Sequence, residues 1–190
     1  TWRDSYPYNP LSCFALHPLY VCGEDAVAAC RAFCSAEEAE ALQGILDGCL
    51  RRGAVLNVLP EVDYEAVMAL KQDLLRGIYD VCGERMVASD DCRRFVSENG
   101  GWLVPYAVFC SLRSEYGDER AKWGALERYD AAEAEKYAAS HRLSVDYHIF
   151  VQYILDAQMR AARQAAHASG VALKGDIPIG VAPTGVDVWR

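Results

Sequence analysis

The sequence predicts a chain of the α/β class that is itself mostly helical, with about six helices and one convincing strand. Apolar residues recur at helical spacing along most of the chain, and capping side chains precede several of these runs. The strand is an apolar run at residues 171–181 that follows the longest helical pattern. Because a strand buried on both faces needs neighbours, we expect its partner strands to lie outside these residues.

Capping side chains predict where the first two long helices begin. Ser35 and Glu38 form a capping-box pair, and apolar residues continue at helical spacing until Gly53 can end that helix. Asp63 can cap a second helix, with Gly83 beyond its end.

The middle of the chain carries both helix-breaking and helix-starting signals. A short helix is predicted from about Ser89, and the Asn-Gly-Gly run at residues 99–101 is expected to interrupt it. A further helix is predicted with Pro105 in its first turn and Leu112 near its end.

Two more helices are predicted toward the end of the chain. Asp130 and Glu133 open a polar helix that runs to about residue 140. Ser144 is expected to cap a long helix that ends at Gly170. One apolar stripe follows that helix, made of Phe150, Ile154, Ala157, Ala161 and Ala165.

The composition excludes several classes of partner. With 190 residues, of which 52% are hydrophobic, the chain is long enough to bury a substantial core. The net charge of -8 argues against nucleic acid. No stretch reaches the roughly 18 apolar residues of a membrane span, and the first residues are unlike a signal peptide. We therefore expect a cytoplasmic protein that binds neutral or polar ligands and neither nucleic acid nor membranes.

Eight cysteines lie in the first 110 residues without the spacing of a zinc site or a disulfide scaffold. We predict buried reduced thiols, and a redox or metal role is the alternative. The four histidines show no paired metal spacing either, and His17 is predicted to pack in its loop rather than act as a general base. The cysteines are Cys13, Cys22, Cys30, Cys34, Cys49, Cys82, Cys92 and Cys110.

Asp176 is the polar residue that stands out in the predicted strand. It follows Gly175 and lies two residues before Pro178, near the carboxyl end of the apolar run. In α/β barrels that end of a strand faces the active site, so a carboxylate there could bind sugar hydroxyls. The alternative is an aspartate that closes a turn with its own backbone. Tyr147, Phe150 and Tyr153 on the long helix are predicted to be core residues rather than a sugar platform.

Several segments resemble the 4-α-glucanotransferases of the amylomaltase and disproportionating-enzyme family, in the same order along the chain. The first segments are similar to the substrate loop of the plant-type cytosolic members. The others are similar to a helical part and to the helix-to-strand signature of the family. These segments are DSYPY at residues 4–8, LS at 11–12, FALHPLY at 14–20, DYEA at 63–66, WLVPYA at 102–107, GVALKGDIPIGV at 170–181 and VDVW at 186–189.

The resemblance implies an internal piece of a (β/α)8 TIM barrel enzyme with a large helical insertion. Residues 1–20 would form a substrate loop after an early barrel strand, residues 21–145 the helical insertion, and residues 146–190 a barrel helix, strand and following loop. A complete barrel takes about 250 residues, so this chain cannot close one. The implied enzyme uses no metal and no organic cofactor, and its substrate is a maltooligosaccharide or another α-glucan.

The resemblance also assigns two sugar-binding residues. Tyr8 would stack on the sugar ring that is cleaved, and Asp176 would accept hydrogen bonds from the hydroxyls of that sugar. For Tyr8 the alternative is a turn tyrosine packed on its neighbouring prolines. This chain departs from the usual family pattern at residues 182–185, Asn9 and Cys13, which puts hydrogen bonds from the first of these loops in doubt.

Members of the family are retaining enzymes with a carboxylate nucleophile and a carboxylic acid. The resemblance places these groups after the VDVW segment, beyond Arg190, so no catalytic residue is assigned here and this piece alone is expected to be inactive. Two alternatives remain, a non-enzymatic helical interaction module and a catalytically inactive homologue.

Overall fold

A computed structural model describes residues 10–176, 178 and 180–190, and this part of the chain is mostly helical. Within this part, three 3-10 segments lie at Pro18–Tyr20, Arg31–Phe33 and Arg120–Leu126. The α-helices of the described part are α1 (Gly23–Cys30), α2 (Ala36–Leu56), α3 (Tyr64–Ile78), α4 (Glu84–Val87), α5 (Asp90–Tyr116), α6 (Ala131–Ser140), α7 (Arg142–Ala168) and α8 (Val186–Trp189).

The predicted caps of α2, α3 and α6 are confirmed. Ser35 and Glu38 form a complete capping box, in which each side chain accepts a backbone N–H of the other residue. The Asp63 carboxylate accepts Ala66 N–H at 2.9 Å, and the Asp130 carboxylate accepts Glu133 N–H at 3.0 Å. These bonds satisfy N–H groups that have no partner within the helix.

Gly83 does not end a helix, because the chain stays helical past it. The π-helical turn Tyr79–Gly83 connects α3 directly to α4. A Cβ atom on Gly83 would lie 2.0 Å from the ring of Tyr79, so the turn closes only around a residue without a side chain. The Tyr79 ring packs edge-on against Tyr147 and Phe150, with centroids 5.4 Å apart in both pairs. The glycine thus gives an aromatic core residue the room it needs.

The predicted break at residues 99–101 is wrong, because α5 is one continuous helix of 27 residues that includes them. The Asn99 side chain supports the helix here, since its amide donates to Phe95 O and its oxygen accepts from the Trp102 indole. Pro105 lies inside the helix, where it leaves the carbonyl of Gly101 without its helical partner, but Gly101 is exposed and water can satisfy that carbonyl. Apolar residues of α5 on both sides of the glycines share one buried cluster. Tertiary packing therefore outweighs the cost of about 1 kcal/mol for each glycine.

Ser144 is not the cap of the long helix, which begins at Arg142. The Ser144 hydroxyl instead accepts a hydrogen bond from the buried Ser111 hydroxyl of α5 at 2.8 Å. Tyr137 of α6 joins the same group at 3.0 Å from Ser111. The Ser111 hydroxyl thus connects α5 to both α6 and α7, and Ser144 is one of its two partners.

The apolar stripe of α7 is buried along its first half and exposed along its second. Phe150 and Ile154 are core residues, whereas the alanines at 157, 161 and 165 are exposed. Gly170 ends the helix at a φ of 73°, as predicted for a left-handed glycine. Beyond it, residues 171–176 have no regular secondary structure, and the described residues contain no strand. The predicted strand at 171–181 is therefore wrong for the part described, where no neighbouring strand is present to pair with it.

The core consists of two clusters that share α7. Tyr147, Phe150 and Ile154 of α7 pack into the first cluster, which otherwise comes mainly from α1, α2, α3, the segment after α3 and Val21 before α1. Val145 and Ile149 pack into the second cluster, with residues of α5, α6 and α8. The prediction that Tyr147, Phe150 and Tyr153 belong to the core is confirmed, since Tyr153 also packs against both clusters.

A partly buried histidine of α7 makes stability depend on pH. Burial, together with the positive charge of Arg76, lowers the pKa of His148 to about 4 from its ordinary value of 6.5. Between these two values the unfolded chain binds a proton that the folded chain does not. Stability is therefore retained above pH 6.5 and falls as the pH drops from 6.5 toward 4.

This dependence is tested with His148→Gln. At pH 5, wild type should lose about 2 kcal/mol more stability, relative to pH 7, than the variant. Urea unfolding followed by circular dichroism at both pH values measures the difference, and the carboxylates that titrate in both proteins cancel. Equal losses in the two proteins would contradict a neutral, buried imidazole.

Candidate substrate-binding site

The two predicted sugar-binding residues belong to segments at opposite ends of the chain. Tyr8 lies outside the described residues. Asp176 is exposed, in the irregular segment that follows α7. The described contacts join residues 10–13, shortly after Tyr8, to residues 182–187, shortly after Asp176.

Among the described residues, three hydrogen bonds join the two segments. Ala182 N–H donates to Pro10 O at 3.2 Å, and Val186 N–H donates to Leu11 O at 2.9 Å. Cys13 N–H donates to the carboxylate of Asp187 at 2.7 Å. Residues 10–13 therefore lie directly against residues 182–187, although more than 160 residues separate them in the sequence.

A tight turn brings the second segment close enough for these bonds. Gly185 N–H donates to Ala182 O at 2.7 Å, which closes the turn. A Cβ atom on Gly185 would lie 2.7 Å from Leu11 O, so a larger residue would push the two segments apart. Arg120 holds the turn from the other side by donating to the carbonyls of Gly185 and Pro183, at 3.0 and 3.3 Å. The segment that departs from the family pattern is thus ordered mainly through its backbone.

Two glutamines of α7 hold the rest of the N-terminal loop. The Gln152 side chain accepts Leu16 N–H at 2.8 Å and donates to Leu16 O at 2.9 Å. Gln158 makes the same pair of bonds to Cys22, both at 2.9 Å. A glutamine amide carries both a donor and an acceptor, so it can pair with a loop residue as a neighbouring strand would. This pairing satisfies backbone groups that the irregular loop leaves without partners.

Replacing Gln152 by alanine should loosen this loop. The change leaves both backbone groups of Leu16 unpaired in a site where Gln152 is 2% exposed, at a cost of about 2 to 3 kcal/mol. Hydrogen exchange of the Leu16 amide, measured together with urea unfolding, reports both effects. Gln164→Ala, at an exposed position of the same helix, is the control. Unchanged exchange at Leu16 would show that the glutamine does not hold the loop.

Trp189 anchors the C-terminal segment in the second core cluster. Its indole N–H donates to Leu126 O at 2.8 Å. Its ring lies against three other aromatic rings, those of Tyr129, Phe109 and Trp123, at centroid distances of 5.1, 5.6 and 5.9 Å. The VDVW segment is therefore a short helix with one side fixed in the core, and Asp187 extends from it to the loop.

Among the described residues of the loop, His17 makes a structural contact. His17 caps the 3-10 turn Pro18–Tyr20 by accepting Leu19 N–H at 3.2 Å, and burial lowers its pKa. The prediction that it packs in the loop is confirmed. Within the described ranges, no three His, Cys, Asp or Glu side chains are grouped as metal ligands, and no helix combines the length and apolar character of a membrane span.

All eight cysteines are free, as predicted, but they are not all buried. Cys30, Cys82 and Cys92 lie in the core, Cys13 is exposed, and the others are partly buried. Burial raises the pKa of Cys92 and of Cys110 to about 12. These two thiols stay protonated at neutral pH and are poor nucleophiles.

The fold and these contacts define a helical unit that holds two irregular loops side by side at its surface. The family model described as 4-alpha-glucanotransferase matches residues 1–190, and the chain belongs to this family. The match covers the whole chain and does not favour the alternative of a non-enzymatic helical module.

Individual relatives show the same relationship. The rice protein 4-alpha-glucanotransferase DPE2 is 34% identical over 192 residues, which is 99% of this chain and 19% of the rice protein. The 4-alpha-glucanotransferase of Chlamydia trachomatis is 28% identical over 190 residues, 100% of this chain and 34% of that protein. The Aquifex aeolicus enzyme of the same name is 26% identical over 132 residues, 69% of this chain and 26% of that protein. The chain thus spans about a fifth to a third of the length of these relatives.

Sequence reasoning found the two segments of this site but not the side chains that join them. Nothing in the local sequence around Gln152, Gln158 or Arg120 indicates a partner, because each contacts residues at least 63 positions away. Asp187 was visible within the VDVW segment, but its bond to Cys13 N–H depends on the fold.

Proposed function

We propose that the protein to which this chain belongs transfers α-1,4-glucan segments between maltooligosaccharides, and that this chain supplies parts of its substrate site. The observation that carries the proposal is the family match over all 190 residues. The joint between residues 10–13 and 182–187 supports it, because the two segments proposed to bind sugar are tied to one another.

Within this proposal, Tyr8 and Asp176 act on the sugar whose bond is cleaved. A tyrosine ring can stack on the C–H face of a pyranose while its hydroxyl keeps a polar contact. The exposed carboxylate of Asp176 can accept hydrogen bonds from two sugar hydroxyls. Both contacts bind and orient the donor sugar without taking part in bond breaking.

The reaction proceeds by double displacement with retention. A carboxylate attacks the anomeric carbon, the glycosidic bond breaks, and the leaving oxygen takes a proton from a carboxylic acid. A hydroxyl of an acceptor sugar then attacks the same carbon, returns its proton to that acid's conjugate base and releases the nucleophile. On the family pattern both carboxyl groups follow the VDVW segment, so the proposed role of this chain is to bind and position the substrate.

The proposal also covers the fold of the whole enzyme, its location in the cell and its cofactors. We place the chain in a (β/α)8 barrel, with residues 1–20 as the substrate loop, 21–145 as the helical insertion and 146–190 as the return to the barrel. The enzyme works in the cytoplasm without a metal or organic cofactor and binds neither nucleic acid nor membranes. The net charge of -8 supports a neutral substrate.

Labelled glucose tests the transfer reaction. The full-length protein is incubated with maltotriose and [13C]glucose, and the products are separated by chain length and analysed by mass spectrometry. We expect the label at the reducing end of maltose and longer oligosaccharides, because glucose serves as acceptor. Label confined to glucose, with maltotriose unchanged, would favour the catalytically inactive homologue instead.

A further inference from the structure

One carboxylate reaches across the joint between the two loop segments. Asp187 of α8 accepts Cys13 N–H at 2.7 Å, a length typical of a hydrogen bond to a charged acceptor. The two neighbouring bonds, from Ala182 to Pro10 and from Val186 to Leu11, join backbone to backbone. Asp187 therefore supplies the one side-chain bond among these three, and this bond can be removed by truncating a side chain.

Hydrogen bonds and limited packing position the loop at this point. Cys13 is exposed, and Phe14 is exposed but stacks on Trp102 of α5 with ring centroids 6.1 Å apart. The loop is next held at Leu16, through the Gln152 side chain. Without Asp187, the chain between Leu11 and Leu16 would keep the local bonds that Ser12 Oγ accepts from Phe14 and Ala15 N–H, both at 3.1 Å. It would also keep the packing of Phe14 on Trp102 and of Ala15 on the second core cluster. None of these contacts is a hydrogen bond to residues 182–187.

The helix that carries Asp187 is itself fixed to the rest of the protein. Trp189, two residues further, is buried in the second core cluster, and Arg120 holds the carbonyls of the turn that precedes α8. The bond from Asp187 to Cys13 N–H therefore attaches the loop to a helix that is fixed in the core. Since Asp187 is only partly buried, its removal should cost the core little.

We propose that Asp187 is a positioning residue for sugar binding. It fixes residues 10–13 of the first proposed sugar-binding segment against residues 182–187 of the second. The inference rests on the proposed function, and it adds a residue that touches no substrate but sets the geometry of those that do.

Three variants of the full-length protein test this role. Asp187→Ala removes the acceptor, Asp187→Asn keeps an oxygen acceptor without the charge, and Val188→Ala changes an exposed neighbour in the same helix. We expect Asp187→Ala to raise KM for maltotriose about tenfold with kcat changed less, and Asp187→Asn to recover most of the loss. Val188→Ala should match wild type. The thermal midpoint should be the same in all four proteins.

Hydrogen exchange and binding separate this inference from the proposed function. In Asp187→Ala, amides of residues 11–16 should exchange faster than in Val188→Ala, and maltoheptaose should bind about tenfold more weakly by calorimetry. If wild type transfers glucan but Asp187→Ala behaves like Val188→Ala, the inference alone is wrong. If wild type binds maltoheptaose without transferring it, the binding measurement still decides the role of Asp187. Wild type that neither binds nor transfers glucan would overturn both.

Discussion

Replacing Asp176 by alanine in the full-length protein should lower kcat/KM for maltotriose about 100-fold. The carboxylate is proposed to accept hydrogen bonds from sugar hydroxyls, and bonds to a charged acceptor contribute about 1.5 to 3 kcal/mol each. A loss of about 2.7 kcal/mol corresponds to this factor of 100. The side chain is exposed in an irregular segment, so the effect should appear in activity rather than in folding.

Initial rates of maltotriose consumption measure the change in activity. Asp176→Asn should lose less, because its amide oxygen still accepts a hydrogen bond. Val171→Ala, at an exposed position of the same segment, is the matched control and should keep full activity. An Asp176→Ala protein as active as this control would show that the aspartate closes a turn and does not bind sugar.

Replacing Trp189 by alanine should lower the free energy of unfolding by about 4 kcal/mol. Trp189 is 4% exposed, and its ring lies among Phe109, Trp123 and Tyr129. Removing a buried aromatic side chain of this size typically costs about 3 to 5 kcal/mol. The change also leaves Leu126 O without its indole donor.

Urea unfolding of the purified chain, followed by circular dichroism of its helices, measures this loss. Val188→Ala serves as control again, because the neighbouring side chain is 49% exposed and should change stability by less than about 0.5 kcal/mol. If both substitutions had the same small effect, α8 would not be fixed in the core, and the support for the position of Asp187 would disappear.

The helix starts that sequence predicted correctly are those set by a local contact. Ser35, Asp63 and Asp130 each bond to a backbone N–H three residues further on, so the whole signal lies in four consecutive residues. Gly170 is similar, since the left-handed conformation that ends α7 depends on that residue alone.

The errors arose where distant contacts outweigh local preference. The two glycines and Pro105 favour a break in α5, yet apolar residues on both sides of them pack into one cluster and keep the helix continuous. Ser144 has the side chain of a cap, but Ser111 of another helix provides its partner. At residues 171–176 an apolar pattern was not sufficient for a strand, because a strand also needs a neighbour.

The site was predictable from sequence only as far as its two segments. Resemblance to a family points to Tyr8 and Asp176, whereas the contacts that tie their segments together join residues far apart in the chain. The bond between Cys13 and Asp187 spans 174 positions, and neither residue has a local pattern that predicts it.

Product analysis of maltotriose, with all reducing ends counted, tests the central claim most directly. Transfer of glucan segments breaks one glycosidic bond for each bond it makes. The full-length protein should therefore convert maltotriose into glucose and longer maltooligosaccharides while the total concentration of reducing ends stays constant. A steady rise in reducing ends would indicate a hydrolase, and maltotriose that remains unchanged would contradict the assignment of this activity.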